Sequence, residues 1–211
     1  FQVPASARGR RVALNFLGVD TFAKVWVNGK LAGEHEGALT PFILEITPLV
    51  NFGQSNTVTV RVNDPEYGTR VWTNEQIITT SGIWRDVYIE ITGIAYVSDI
   101  FAVADIDRCT AETRVSFAGQ LGSATPKALH ITIQAPDANR FTAARQIKPA
   151  ASGTVSIPMS LGRCVLWELN RPALYDIRAE LIENGNVIDS ATTHFGMRKL
   201  STQGKNILLN N

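Results

Sequence analysis

Alternation of apolar and polar positions runs through most of the chain, and helical periodicity is nearly absent. In Thr57-Val58-Thr59-Val60-Arg61-Val62 the three valines share one face while Thr, Thr and Arg share the other, the pattern of a half-buried strand. Leu129-His130-Ile131-Thr132-Ile133 repeats it. So do Val87, Ile89 and Ile91 against Tyr88 and Glu90, and Ile177, Ala179 and Leu181 against Arg178 and Glu180. Two Asn-Gly pairs interrupt such runs: Asn28-Gly29 after Val25-Trp26-Val27, and Asn184-Gly185 before Val187-Ile188. Asn-Gly accepts the positive φ values of a type I′ turn, so each pair predicts a tight hairpin. Short strands at this spacing define an all-β chain of the sandwich type.

A boundary is expected near Ala95-Tyr96. Residues 1–95 hold the first hairpin, a Pro/Gly-punctuated stretch and a strand-poor loop at 63–81. Residues 96–199 hold about seven strand candidates, at 96–105, 111–118, 127–135, 140–147, 153–158, 174–183 and 187–195, which fit an immunoglobulin-like sandwich. Near the sixth, Trp167 leads through Asn170-Arg171-Pro172 to Leu174-Tyr175; Tyr175 stands where a tyrosine corner would bond its hydroxyl to upstream backbone. Trp167 is expected to pack on Pro172. Phe1 and Val3 alternate with Gln2 as in mid-strand, and Asn206-Ile207-Leu208-Leu209 begins an apolar run, so both ends read as edges of a larger sequence. The presence of a leader and the cellular compartment stay open.

Composition narrows the function classes. Hydrophobic residues make up 45% and charged ones 18%, enough apolar material for packed cores. The formal charge of +1, with no clustered Lys/Arg run, argues against nucleic acid or a membrane surface as partner. His35, His130 and His194 are scattered and read as ordinary strand residues, so no metal site and no cofactor is expected. Cys109 lies in the turn between the first and second strands of the sandwich and Cys164 between the fifth and sixth. In a Greek-key sandwich these connections emerge at the same end, which permits a disulfide, although two independent thiols is the default expectation.

Three blocks carry a resemblance to a known family. The first runs Leu14-Asn15-Phe16-Leu17-Gly18-Val19-Asp20, Ala23-Lys24-Val25-Trp26-Val27-Asn28-Gly29-Lys30, Gly33-Glu34-His35-Glu36-Gly37 and Pro41-Phe42. The second is Ser81-Gly82-Ile83-Trp84-Arg85-Asp86-Val87. The third joins Trp167, Pro172, Leu174 and Tyr175 to Phe195-Gly196-Met197-Arg198. In type and order the blocks resemble glycoside hydrolase family 2, the β-galactosidases, β-glucuronidases and β-mannosidases. Ala38 and Glu45 stand where that family usually has Gly and Asp, and Asn211 where Gly usually follows Asn.

The resemblance implies a jelly-roll sugar-binding domain at 1–95, short of its opening strands. It implies an immunoglobulin-like domain at 96–199, and at 200–211 the start of a linker into a (β/α)₈ barrel absent from this sequence. In that family the two catalytic glutamates come from the barrel, so no catalytic residue is expected here. Glu34 and Glu36 read as a solvated strand face. The parent would hydrolyse terminal β-glycosides, β-galactosides first, by the retaining two-carboxylate route. Partners would be a β-linked sugar and the chain's own barrel.

The 63–81 loop draws most of the binding expectation, because loops longer than about 12–15 residues are often functional. Tyr67 and Trp72 offer aromatic faces for a pyranose. The resemblance adds Asp64, Trp72, Asn74 and Glu75, since the family's loop before the second block reaches toward the barrel mouth. The loop either touches sugar or only packs on the barrel. Trp26 and Trp84 are expected as core anchors, and Arg85 as an ion-pair partner of Asp86 or Asp64. Two other functions fit an all-β pair: an autonomous carbohydrate-binding module, marked by an exposed aromatic platform, and a structural pair for adhesion, marked by a wide apolar patch.

Overall fold

The computed structural model describes residues 1–63, 71–73, 76–78, 82–119, 127–147 and 152–210. They fall into two compact units, Phe1–Thr92 and Gly93–Asn211. Apart from two short 3-10 turns, Ala5–Ala7 and Thr47–Leu49, the described elements are strands.

The first unit contains β1 (Arg11–Phe16), β2 (Val19–Asp20), β3 (Phe22–Val27), β4 (Lys30–Glu36), β5 (Phe42–Glu45), β6 (Val58–Asn63), β7 (Val71–Thr73), β8 (Gln76–Ile78), β9 (Gly82–Ile83) and β10 (Val87–Thr92). Two antiparallel sheets, β10-β1-β5 and β4-β3-β6, are accompanied by the pairs β2-β9 and β7-β8. Val12, Leu14 and Phe16 of β1 share one core with Ala23, Val25 and Val27 of β3, so the alternating faces meet between the sheets. Phe16 is fully buried and stacks on Phe42 with ring centroids 4.7 Å apart; burying such a ring contributes about 1.5–3 kcal/mol. The segment 63–81, read from the sequence as strand-poor, carries the short hairpin β7-β8. Its Val-Trp-Thr and Gln-Ile-Ile strands are rich in the β-branched and aromatic types that favour extended backbone.

The second unit contains β11 (Ala95–Asp105), β12 (Thr110–Gly119), β13 (Lys127–Gln134), β14 (Arg140–Ile147), β15 (Ser152–Ser160), β16 (Tyr175–Glu183), β17 (Asn186–Phe195), β18 (Leu200–Gln203) and β19 (Asn206–Leu209). Sheet β11-β12-β15 packs on sheet β14-β13-β16-β17 around Val115, Phe117, Leu129, Ile131, Ile177 and Leu181, and β18-β19 forms a separate hairpin. The two Asn-Gly turns have the expected form, with φ of 49° and 78° at Asn28-Gly29 and 51° and 78° at Asn184-Gly185. The carboxylate of Asp189 accepts the Gly93 and Val97 backbone N–H groups at 3.4 and 2.9 Å, fastening the start of β11 to β17.

Tyr175 forms the corner that its position predicts. Its ring is fully buried and stacks on Phe195, and its hydroxyl accepts the Val165 N–H at 2.7 Å. Burial, the largest influence, pushes its pKa above the usual tyrosine value. The neutral form is therefore favoured by folding. The stability this confers is complete below about pH 10 and is lost as pH climbs through the higher folded value. Tyr175→Phe leaves the Val165 N–H without its acceptor and should cost about 1–3 kcal/mol at neutral pH. Urea titrations at rising pH should show the wild-type loss above pH ~10 reduced in the variant.

Thr113 points the other way energetically. It is fully buried in β12, and its hydroxyl has no hydrogen-bond partner among the described residues. Thr113→Val keeps the shape and removes the unsatisfied group, so a gain of about 1 kcal/mol is expected, read as a higher urea midpoint at unchanged slope.

Candidate functional site

The site expectations centre on the segment between β6 and β9. Asp64, Tyr67, Asn74 and Glu75 lie outside the described residues. Trp72 lies in β7, opposite Ile77 of β8.

The described frame around this segment is built from the first two sequence blocks. β6 delivers the chain at Asn63, and β9 receives it again, pairing Gly82 with Asp20 and Ile83 with Val19. Asp20 is buried and accepts the Thr21 hydroxyl. Trp84 then crosses over Gly18: a Cβ at Gly18 would stand 2.7 Å from its ring, which only glycine allows. The indole N–H donates to the Ala38 carbonyl at 3.0 Å, and the Trp84 N–H donates to the Gly18 carbonyl at 3.2 Å. The Gly-Val-Asp, Gly-Ala and Gly-Ile-Trp-Arg stretches are thereby tied into one corner. Trp84 is 42% exposed, so the expectation of a core anchor is corrected: it is a surface clamp with one polar bond. Arg85 lies over the Trp84 ring, 5.6 Å from its centroid, as a cation on an aromatic face; of its two expected ion-pair partners, Asp86 is not paired with it and Asp64 lies outside the described residues.

Trp26 is likewise not in the core. Val25 and Val27 take the inward positions of β3, and Trp26 faces outward with the Lys24 ammonium 5.7 Å from its ring centroid. Its neighbours on this outer face follow from strand register. Phe22 is flanked by Glu36 of β4 and Asn63 of β6, and Lys24 by Glu34 and Arg61. These six residues, with Ala23 and His35, line a depression of about 510 Å³. Glu34 is ion-paired with Lys24. His35 also borders the depression and stacks on Phe42 at 4.2 Å, with Thr40 at 3.4 Å from Nε2. The sequence reading took Glu34 and Glu36 as a solvated face and did not single out Lys24, Arg61, Asn63 or Phe22. The available signal was the alternation of β3 and β6, which already places Phe22, Lys24, Arg61 and Asn63 outward.

In the second unit Cys109 and Cys164 are joined as a disulfide, with Cα atoms 5.4 Å apart, which corrects the default of two independent thiols in favour of the permitted bridge. Trp167 sits against Gly196 and beneath Arg198, whose guanidinium is 5.2 Å from the ring centroid. Among the described residues no group of three or more His, Cys, Asp or Glu is placed to hold a metal ion.

Two family models match the chain: the sugar binding domain of glycosyl hydrolases family 2 over residues 1–92, and the glycosyl hydrolases family 2 model over residues 95–198. The chain belongs to glycosyl hydrolase family 2. Among its relatives are a β-galactosidase of Thermoanaerobacter pseudethanolicus, 28% identical across 94% of this chain and 27% of the relative, and a β-glucuronidase of Bacteroides fragilis, 29% identical across 92% and 30%. The fold is shared with a family 2 member from Bacteroides cellulosilyticus, with a TM-score of 0.83 at 24% identity over 100% of this chain and 29% of that one. A Bacteroides uniformis β-glucuronidase gives 0.82 at 20% identity, covering 100% and 27%. The chain thus spans about 27–30% of the length of these proteins.

Proposed function

We propose that this chain is the non-catalytic accessory region of a family 2 glycosidase that hydrolyses terminal β-glycosides, β-galactosides foremost. One observation carries the reading: two family 2 models account for nearly the whole chain, while the chain accounts for under a third of these relatives. Residues 1–95 serve as a sugar-binding jelly roll, 96–199 as the immunoglobulin-like spacer, and 200–211 as the lead into a (β/α)₈ barrel. Two carboxyl groups about 5–5.5 Å apart in that barrel carry out the retaining reaction. One attacks the anomeric carbon as the other protonates the departing oxygen, and water then releases the sugar.

The chain's own contribution is to hold the 63–81 segment at the barrel mouth. The Trp84 clamp and the β2-β9 pair fix where the segment ends, and Asp64, Tyr67, Trp72, Asn74 and Glu75 supply rings and hydrogen-bonding groups to the bound sugar. Reading the coding frame on either side of the 211 codons tests this. A continuing frame that encodes a barrel with two strand-end glutamates is expected, and a stop codon directly after Asn211 would overturn it.

A further inference from the structure

The outer face of β4-β3-β6 carries more unpaired chemistry than a solvated sheet needs. Its register sets two rows side by side, Glu36–Phe22–Asn63 and Glu34–Lys24–Arg61. Neighbouring strands are about 4.8 Å apart and residues two apart along a strand about 6.7 Å, so the six side chains rise from a grid of roughly 10 by 7 Å. The depression above it, about 510 Å³, falls in the range of small-ligand sites. Phe22 lies at the centre of its row and is 36% exposed, a large apolar ring open to solvent. Glu36, Arg61 and Asn63 have no ion-pair or side-chain hydrogen-bond partner among the described residues, whereas Lys24 and Glu34 satisfy each other.

The charge pattern selects the ligand. Two cations and two carboxylates leave the depression without net charge, and the carboxylates oppose a polyanion. An apolar ligand would strip water from three unpaired polar groups with nothing in return. A neutral sugar meets every requirement. Its hydroxyls both donate and accept, matching the acceptor Glu36, the donor Arg61 and the amide Asn63, and its C–H face lies on a ring.

We propose that this face is a second saccharide site that binds a neutral sugar, with Phe22 beneath the ring and Glu36, Asn63 and Arg61 at its hydroxyls. It uses no residue of 64–81 and is independent of whether that segment touches sugar. In the parent enzyme it holds a remote unit of a longer glycan.

Lactose titrated into the isotope-labelled 211-residue chain, followed by NMR, tests the assignment. Saturable shifts are expected at the Phe22 ring protons and the Arg61 Nε–H. Phe22→Ala should weaken binding by more than about tenfold, and Arg61→Ala or Asn63→Ala by about fivefold each. The last two positions are exposed, so these variants keep the test open if Phe22→Ala folds poorly. Lactose shifts confined to the Trp72 indole, or no shifts at saturation, would overturn the site. Binding of methyl β-D-glucuronide in place of lactose would overturn its neutral specificity.

Discussion

Replacing both Cys109 and Cys164 with serine is expected to lower the stability of the second unit by about 4 kcal/mol. The bridge spans 55 residues of sequence. By the chain-entropy estimate, closing a loop of that size in the unfolded chain is worth about 4 kcal/mol. In the folded unit the bridge ties the 105–110 turn to the strand-poor stretch 161–174. That stretch carries the Val165 N–H held by Tyr175, and its Trp167 carbonyl accepts the Asn210 amide. The turn carries Asp107, which pairs with Lys199 at the base of the β18-β19 hairpin. Loss of the bridge should therefore loosen the hairpin as well. Urea unfolding gives the global effect, and hydrogen exchange at 200–209 the local one. A double variant with wild-type midpoint and wild-type protection at the hairpin would mean the two sulfurs do not constrain this end. Mass spectrometry with and without reduction counts the thiols directly.

Gly119→Ala is expected to be as damaging, at about 3–5 kcal/mol. Gly119 ends β12 with φ of +98°, and a Cβ there would stand 2.0 Å from the Ile94 carbonyl oxygen and 3.0 Å from its carbon. Both atoms are backbone, so relief requires moving the entry to β11, where Ala95 pairs with Gly119 itself. Gly162 supplies the control: its φ is +63° with nothing within 4 Å of an added Cβ. Gly162→Ala isolates the left-handed penalty, about 1–2 kcal/mol. Equal urea midpoints for the two variants would show that the steric part of the argument fails.

What the sequence disclosed follows from what strands encode locally. Period-2 alternation marks an extended segment wherever one face is buried, so the ends of β11 to β17 fall within two residues of the expected ones, while the β18-β19 hairpin stands where a linker is expected. Asn-Gly turns are equally local, because positive φ at two adjacent residues is a property of the pair itself. Phase was harder to read. Val25-Trp26-Val27 is apolar throughout, and only the opposing sheet decides that the valines face inward and the indole outward. Trp84 misled for a similar reason. Its place beside Gly18 depends on a contact across more than sixty residues of sequence, and its ring is shared between that glycine and solvent. The grid around Phe22 was hidden because it needs the register of β3 against two strands at once. Of the expected sugar contacts, Trp72 is placed on a strand, and Asp64, Tyr67, Asn74 and Glu75 lie outside the described residues.

The central claim is that this chain frames a glycosidase site without performing the chemistry. Its most direct test is hydrolysis of 4-methylumbelliferyl β-galactoside, β-glucuronide and β-mannoside by the purified 211-residue chain, at high protein concentration, against a buffer control. Release of fluorophore at the buffer rate on all three substrates is the predicted result. Saturable turnover of any one of them would contradict the account.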